Sequence, residues 1–439
     1  MDEARFRRLV LAVALAGVLH GLVYLPFVRP HRTDDTQSYT DAAHAILHGR
    51  YATPLPPIDI TTLRIPEEAQ GALANDTFRT PGYPLVLAAA GGGTSAASEA
   101  VVFSLQAALM GLSVLLLALT ARQVAGPRVG LAAAALYALD PFSKRYVGLV
   151  LSETLAGALT LLTAYLAVRA WKDASTRLWA GAGLAAGALV LTRPLLAPAV
   201  ALVGLGAVLA PGVPRLRLTR AVAALATAAA LLVPWVGWHT AVTGKASLSS
   251  FGEGWNLLLA AHGEGPSRTF ADVFHDRAFL TDFLSVHRFA PTAAELRSDR
   301  DAHGRYLARA DAEQRRLAED RYRERLGDEP LTVAAEVGYR GYFLWMAHED
   351  WYQPGSGVGL LLLRLADWAV LGLALLGAGF ALVRGPGPAR GIVLFLLVFT
   401  AVNALHHVEA RYSIPVRGLY LALAAATALR LAGQVRARA

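Results

Sequence analysis

About ten stretches of this chain stay apolar for close to the roughly 20 residues that cross a bilayer, and that recurrence dictates the fold class before any motif does. They lie near 9–28, 101–121, 129–146, 150–170, 178–192, 195–210, 220–238, 358–383, 390–406 and 416–433. In a chain of 439 residues that is 55% hydrophobic and only 17% charged, with mean hydropathy +0.41, they predict an all-α polytopic membrane protein of about ten transmembrane helices. The first run follows Arg5, Arg7 and Arg8 and has no small-residue cleavage site after it, so it reads as a retained helix and not as a removed signal peptide. The stretch from Pro81 to Ala90 is apolar but too short to span, and reads as a partly inserted or surface segment.

Charge then orients the spans. The formal balance of +8 does not point to nucleic acid, because the basic residues are scattered through short loops and not gathered in a patch. Short cytoplasmic loops carry the Arg and Lys excess. With the N-terminus inside, the inner loops hold Arg122 and Arg128, then Arg169, Lys172 and Arg177, then Arg215, Arg217 and Arg220, then Arg384 and Arg390, and the inner tail holds Arg430, Arg436 and Arg438. Both termini are therefore expected in the cytoplasm of a bacterial plasma (inner) membrane protein. Cysteine is absent, which removes disulfides, thiol nucleophiles and Cys-ligated zinc.

The same threading divides the chain into an N-terminal transmembrane module (1–238) with a first outer loop (29–80), an extracytoplasmic helical region (239–356) and C-terminal transmembrane helices (357–439). From Ala293 to Asp328 the outer region is dense in Arg, Asp, Glu and Ala, with Leu296, Leu307, Leu317, Tyr322 and Leu326 spaced as on amphipathic helices. It reads as a helical cap, or as a lid or acceptor-docking surface. Gly252, Gly254, Gly263 and Gly265 lack phosphate-loop spacing, so no nucleotide cradle is expected.

Asp34, Asp35, Arg79, Glu153, Arg193 and Arg411 all fall at helix ends on the outer side, and polar groups that are costly near lipid mark a working site when they share a face. In the first outer loop, Tyr39, Ala42, Ala43, Ile46 and Leu47 repeat at helical spacing and Gly49 stops the pattern, so an amphipathic juxtamembrane helix is expected over 36–48. Asp34 and Asp35 sit at its start, where one carboxylate suffices to cap the helix. The other is left for chemistry. The loop closes in Arg79, Thr80, Pro81, Gly82, Tyr83 and Pro84, a rigid turn that delivers a cation to the membrane boundary.

Taken in order, Asp34-Asp35 before a short helix with Tyr39, the turn at 79–84, Ser152-Glu153-Thr154, Arg193-Pro194, and Glu409-Ala410-Arg411-Tyr412 followed by Pro415 resemble the GT-C membrane glycosyltransferases, in particular the group of the protein O-mannosyltransferases and the bacterial lipid A aminoarabinose transferases. The resemblance implies many transmembrane helices, a large extracytoplasmic cavity, and transfer of a hexosyl or pentosyl group from a polyprenyl-phosphate-linked donor to a lipid, glycan or protein acceptor. It also implies that Asp35, or Asp34, acts at the acceptor, and that Arg79 and a second basic residue, here Arg411, hold the donor phosphate. The mannosyltransferases commonly carry Asp-Glu where this chain has Asp34-Asp35, so neither mannose nor a protein acceptor follows.

These residue types suit an inverting displacement. A carboxylate takes the proton of the attacking hydroxyl, and fixed guanidiniums stabilise the charge gained by the departing lipid phosphate. Lys144 and Arg145 are further candidates for the phosphate, or else mark the interface; Tyr39, Tyr83, Glu153, Arg193, His406 and Tyr412 are candidates for the rest of the substrate. For Arg193 the alternative is snorkelling to the headgroups. His406, His407 and Glu409 invite a metal, yet adjacent histidines on a helix point apart and no zinc motif is present. A transporter or flippase of a lipid-linked sugar is the competing class, but such proteins bind near the bilayer midplane and often show repeated halves, and neither feature is found here.

Overall fold

Over their described residues the apolar runs, except the one at 129–146, each fall mainly on one helix in the computed structural model, which describes residues 1–25, 34–56, 65–346 and 357–438. The end of the first run (26–28), the proline-rich connection at 57–64 and the last part of the polar region (347–356) lie outside the described residues, as does the Asp34 side chain. The order begins with α1 (Glu3–Tyr24), α2 (Asp34–Leu47), strands β1 (Ala52–Pro54) and β2 (Leu73–Asn75), and α3 (Gly82–Ala89). Next come α4 (Ala96–Ala125), α5 (Pro127–Leu139), α6 (Pro141–Arg145), α7 (Glu153–Asp173), α8 (Thr176–Thr192), α9 (Pro198–Leu209) and α10 (Pro214–Thr243). The polar region holds α11 (Glu253–Ala261), α12 (Phe270–Phe274), α13 (Arg277–Leu284), α14 (Ala293–Ser298), α15 (Ala302–Asp328) and α16 (Pro330–Phe343). The chain closes with α17 (Gly357–Arg384), α18 (Gly387–Ala404), a 3₁₀ segment at Ala410–Val416, and α19 (Arg417–Arg438).

Seven of these helices are long and apolar enough to cross a membrane, and α5, α8 and α9 are shorter apolar helices. The run expected as one span over 129–146 breaks at Asp140-Pro141. Pro141 cannot donate to a continuing helix, and the Asp140 carboxylate accepts from the Ser143 backbone 2.9 Å away, so a new turn starts there. The other unanticipated element is the small antiparallel hairpin in the first loop, with Ala52 opposite Asn75 and Pro54 opposite Leu73.

The membrane helices share one apolar core in which Phe6, Val114, Leu117, Leu161, Trp179, Leu189 and Phe399 are almost fully buried. Small residues set its tightness. A Cβ on Gly183 would come within 1.9 Å of the Ala224 carbonyl, so α8 and α10 touch backbone to backbone. Leu11, Leu15 and Leu19 on α1, Val222 and Val233 on α10, and Leu362, Leu375 and Leu376 on α17 are exposed instead, as side chains facing lipid are.

The basic loops meet at one end of this bundle. Arg122 pairs with Glu3, Lys172 donates to the Gln123 carbonyl, and buried Arg220 donates to the carbonyls of Pro211 and Ala174 at 2.7 and 2.8 Å. The polar region attaches to the opposite end and has its own core of Phe251, Trp255, Leu258, Phe279, Phe283 and Leu307. Inside it, Asp311 accepts from the backbones of Gly252 and Gly254 at 3.0 and 2.8 Å and from the Lys245 ammonium at 3.0 Å. Buried Arg340 ties the region to the membrane helices by donating to the Ala404 carbonyl at the end of α18, 2.8 Å away. The many Arg–Glu and Arg–Asp pairs along α15 are exposed and add little stability.

Candidate active site

Three segments far apart in sequence converge where the first loop meets the end of the bundle. The expected amphipathic helix is α2, and it begins at Asp34, two residues earlier than its apolar pattern suggests. Tyr39 and Ala43 on its buried face pack with Tyr83, Leu87, Tyr146, Val150 and Ile414, which fixes the helix across the ends of α4 and α7.

Arg79 reaches this helix from the turn after β2. Its backbone is held on both sides: the Asp76 carboxylate accepts from the backbone N–H of Arg79 at 3.1 Å, and the Tyr51 hydroxyl donates to the Arg79 carbonyl at 2.9 Å. The Tyr51 ring in turn meets Trp235 and Trp238 of α10 edge-on, with centroids 5.4 and 5.7 Å apart. The guanidinium lies 4.4 Å from the ring centres of both Tyr39 and Phe78. Its Nε donates to Ser38 Oγ at 2.8 Å, and its Nη2 pairs with Asp35 Oδ1. The Pro81-Gly82 step that follows requires its glycine for space alone: a Cβ at position 82 would sit 2.6 Å from the Leu191 carbonyl oxygen at the end of α8.

The other oxygen of the same carboxylate belongs to the third segment. Arg411 Nη2 lies 2.8 Å from Asp35 Oδ2 and donates to Glu409 Oε1 at 3.0 Å, so Asp35 bridges two guanidiniums. Burial alone would raise the proton affinity of Asp35, but the Arg79 and Arg411 charges outweigh it and hold the carboxyl well below the usual carboxylate range.

A second ion pair adjoins the first. Glu153 at the start of α7 is 2% exposed; its Oε1 lies 2.8 Å from Arg193 Nη1, while its buried Oε2 has no hydrogen-bond partner among the described residues. The Arg193 guanidinium sits 5.3 Å from the ring centre of Tyr412, whose hydroxyl donates to Glu409 at 3.2 Å. Tyr39 links the two pairs by donating to Ser152 Oγ at 3.2 Å. Asp35, Arg79, Arg411, Glu153, Arg193, Tyr39 and Tyr412 thus form one contiguous cluster of carboxylates, guanidiniums and phenols.

Not every sequence candidate joins it. Tyr83 lies one layer beneath, edge-on to Tyr39 at 5.1 Å with its hydroxyl on Gln106. Lys144 is fully buried and donates to the Gly17 carbonyl of α1 at 3.2 Å; the break at Asp140-Pro141 turns it into the bundle and away from the cluster. Arg145 is half-buried on α6. The His406 ring is 2.8 Å from the Val402 carbonyl, one turn back on its own helix end, and His407 pairs with Glu264 at 2.7 Å. Among the described residues, no three His, Cys, Asp or Glu side chains converge as a metal site would require.

Three participants were not singled out from the sequence. Ser38 is one helical turn from Asp35, and Glu409 entered the sequence reading only within the Glu409-Ala410-Arg411-Tyr412 motif and as a metal candidate, with no role of its own in the site. Beneath the site, Arg417 pairs with Asp140 at 2.9 Å and with Asp367 at 2.9 Å, a buried triad that anchors the start of α19 directly after the Arg411 segment. Its signal was present as one arginine at the start of an apolar run and two aspartates inside other runs, at positions that no shared spacing connects.

The helix order, with a first-loop juxtamembrane helix and a one-sided polar cluster, is the fold of the GT-C membrane glycosyltransferases. The family model for dolichyl-phosphate-mannose-protein mannosyltransferase matches residues 83–238, a stretch that includes Glu153 and Arg193. The oligosaccharyltransferase of Archaeoglobus fulgidus in its apo form is similar over 96% of this chain and 50% of its own, with TM-score 0.52 and 14% identity. The same archaeal enzyme, AglB, in complex with an inhibitory peptide and a dolichol-phosphate gives TM-score 0.52 and 14% identity over 95% of this chain and 50% of that one. ArnT from Cupriavidus metallidurans bound to undecaprenyl phosphate aligns over 98% of this chain and 79% of its own at TM-score 0.38 and 14% identity. The chain spans about half the length of the archaeal structures it matches. No curated protein matches it in sequence.

Proposed function

We propose that this chain is an integral membrane glycosyltransferase that moves a sugar from a polyprenyl-phosphate-linked donor to a hydroxyl of an envelope lipid, glycan or protein. One observation carries the proposal: a single carboxylate, Asp35, sits between two guanidiniums, Arg79 and Arg411, at a helix end on the side away from the basic loops. That side is the extracytoplasmic face if the basic loops are cytoplasmic, as the charge rule requires, with the polar region 239–356 outside and both termini inside. Nucleotide sugars are cytoplasmic, so a site facing outward calls for a lipid-linked donor. The family match to a dolichyl-phosphate-mannose enzyme and the dolichol-phosphate bound to the archaeal structure of like fold support that donor class.

In the proposed reaction the acceptor oxygen attacks the anomeric carbon as Asp35 takes its proton. The bond from that carbon to the phosphate oxygen breaks, and the electron pair leaves on the polyprenyl phosphate. Arg79 and Arg411 stabilise the charge that this leaving group gains, and the product has inverted configuration. Glu153 and Arg193, with Tyr39 and Tyr412 beside them, face the sugar or acceptor.

The purified protein incubated with a panel of radiolabelled polyprenyl-phosphate sugars and an envelope extract tests this. Asp35→Asn is expected to slow transfer by about a hundred- to ten-thousandfold, the range for loss of a general base, and Arg79→Ala to abolish donor use. Transfer by Asp35→Asn at the wild-type rate, or a product of retained configuration, overturns the mechanism. Vectorial movement of the lipid in liposomes without any transfer favours a transporter.

A further inference from the structure

The cluster holds three guanidiniums and three carboxylates, and their pairing leaves little free. Arg79 spends Nε on Ser38, Nη1 on the Tyr39 hydroxyl at 3.5 Å, and Nη2 on Asp35. Arg411 presents Nη2 to both Asp35 and Glu409, and its Nε lies 2.6 Å from Glu409 Oε2. The charged groups around Asp35 are therefore Arg79, Arg411 and Arg193 against Glu409 and Glu153, with the phenols of Tyr39 and Tyr412 between them. Asp35 occupies the Nη2 groups of both Arg79 and Arg411, so a phosphate that engages those two groups takes donors this carboxylate now uses. Exchanging one oxyanion for another costs the arginines no charge partner, but it leaves the displaced carboxylate unpaired.

We infer that the donor's phosphate and the Asp35 carboxylate compete for the Arg79 and Arg411 guanidiniums, so that donor binding is what frees Asp35 to act as a base. This rests on the glycosyltransferase reading above. A carboxylate bridged by two cations is a weak proton acceptor. Once both cations turn to the phosphate, Asp35 loses its partners and gains a negative neighbour, and both changes raise its affinity for the acceptor's proton. The order of events follows: the donor binds before a productive acceptor. An acceptor arriving alone meets a base that is already paired. The same exchange keeps Asp35 from activating water when no donor is present, because its carboxylate stays paired until a phosphate displaces it.

The measurement is binding of a polyprenyl phosphate, without sugar, to the purified full chain in nanodiscs, with thermal unfolding of each variant as the control for folding. Arg79→Ala is expected to weaken binding at least tenfold. Asp35→Asn is expected to tighten it, by about ten- to a hundredfold, the span of a charge-assisted hydrogen bond removed from competition. Glu409→Gln removes the other anion from Arg411, is expected to shift affinity in the same direction, and carries the test if Asp35→Asn does not fold. Affinity that Arg79→Ala weakens while neither Asp35→Asn nor Glu409→Gln tightens it overturns the competition and leaves the glycosyltransferase reading standing. Wild-type protein that binds no polyprenyl phosphate overturns both.

Discussion

Gly82 offers the sharpest test of how the site is held, because the objection to a larger residue there is purely spatial. Its φ is not in the left-handed region, and alanine suits a first helical turn, so Gly82→Ala asks nothing unusual of the backbone. The added Cβ would sit 2.6 Å from the Leu191 oxygen and 2.7 Å from the Thr192 nitrogen, both backbone atoms that cannot swing aside, whereas ordinary contact begins near 3.4 Å. The start of α3 and the end of α8 must therefore separate by about 0.8 Å, the difference between those contact distances. Arg79 lies three residues before this contact and Arg193 two residues after Leu191. Both cations consequently move apart. Overpacking of this size costs about 1–3 kcal/mol of stability, which a membrane protein of this size survives folded. A displacement near 1 Å in a positioned catalytic group costs about a hundredfold in rate. The assay pairs sugar transfer from the radiolabelled donor with thermal unfolding in the same detergent. A Gly82→Ala protein with wild-type turnover and an unchanged melting point would show that the turn does not set the spacing of the two arginines.

Two further outcomes are expected. Arg417→Met leaves Asp140 and Asp367 buried without their cation and is expected to lose about 3–5 kcal/mol, read as a lowered melting point, while Asp140→Asn and Asp367→Asn added to it recover most of the loss. Failure of the added changes to restore the melting point would mean that the triad is not the source of the loss. As for pH, the lowered pKa of Asp35 means that its ionised form stabilises the folded chain fully above the ordinary aspartate value of about 3.9, and that this contribution is lost only as pH falls through the depressed value. Accordingly kcat/KM, which reports the free enzyme, should show no acid limb from Asp35 above about pH 4, while kcat should acquire one at higher pH once the phosphate has taken the guanidiniums. Coincident limbs in the two profiles would contradict the exchange.

The helices were legible because lipid imposes a length and a composition that few other contexts share, and over the described residues each apolar run except 129–146 falls mainly on one helix. The break at Asp140-Pro141 was written in the sequence too, as a helix-capping residue before a proline, but the apolar residues on either side masked it. Asp35, Arg79 and Arg411 could be picked out as polar residues at ends of one side, and the structure brings these three into direct contact. Lys144 met the same criterion and points elsewhere, since a helix-end position does not say which way a side chain turns. The bridging of one carboxylate by two arginines could not be read, because the 44 residues separating Asp35 from Arg79 include a hairpin that no periodicity announced. The Arg417 triad was hidden for a related reason: its members come from α19, α17 and the break between α5 and α6, whose neighbours are chosen by packing.

The tryptophan pair on α10 also bears on the height at which the proposed chemistry would take place. That helix has 30 residues, about 45 Å of length, against roughly 30 Å of hydrocarbon, so its far end must leave the oily layer or lean. Trp235 and Trp238 lie near that end, and indole rings settle at the level of the lipid headgroups. Tyr51 meets both rings edge-on and donates to the Arg79 carbonyl, so the arginine's backbone is tied to this end of α10. Under the proposed function, a lipid phosphate travelling at headgroup height would reach Arg79 by lateral diffusion without rising out of the leaflet. Bilayers of different thickness would then tilt α10 and shift Arg79 with it, so the proposed transfer is expected to depend on membrane thickness.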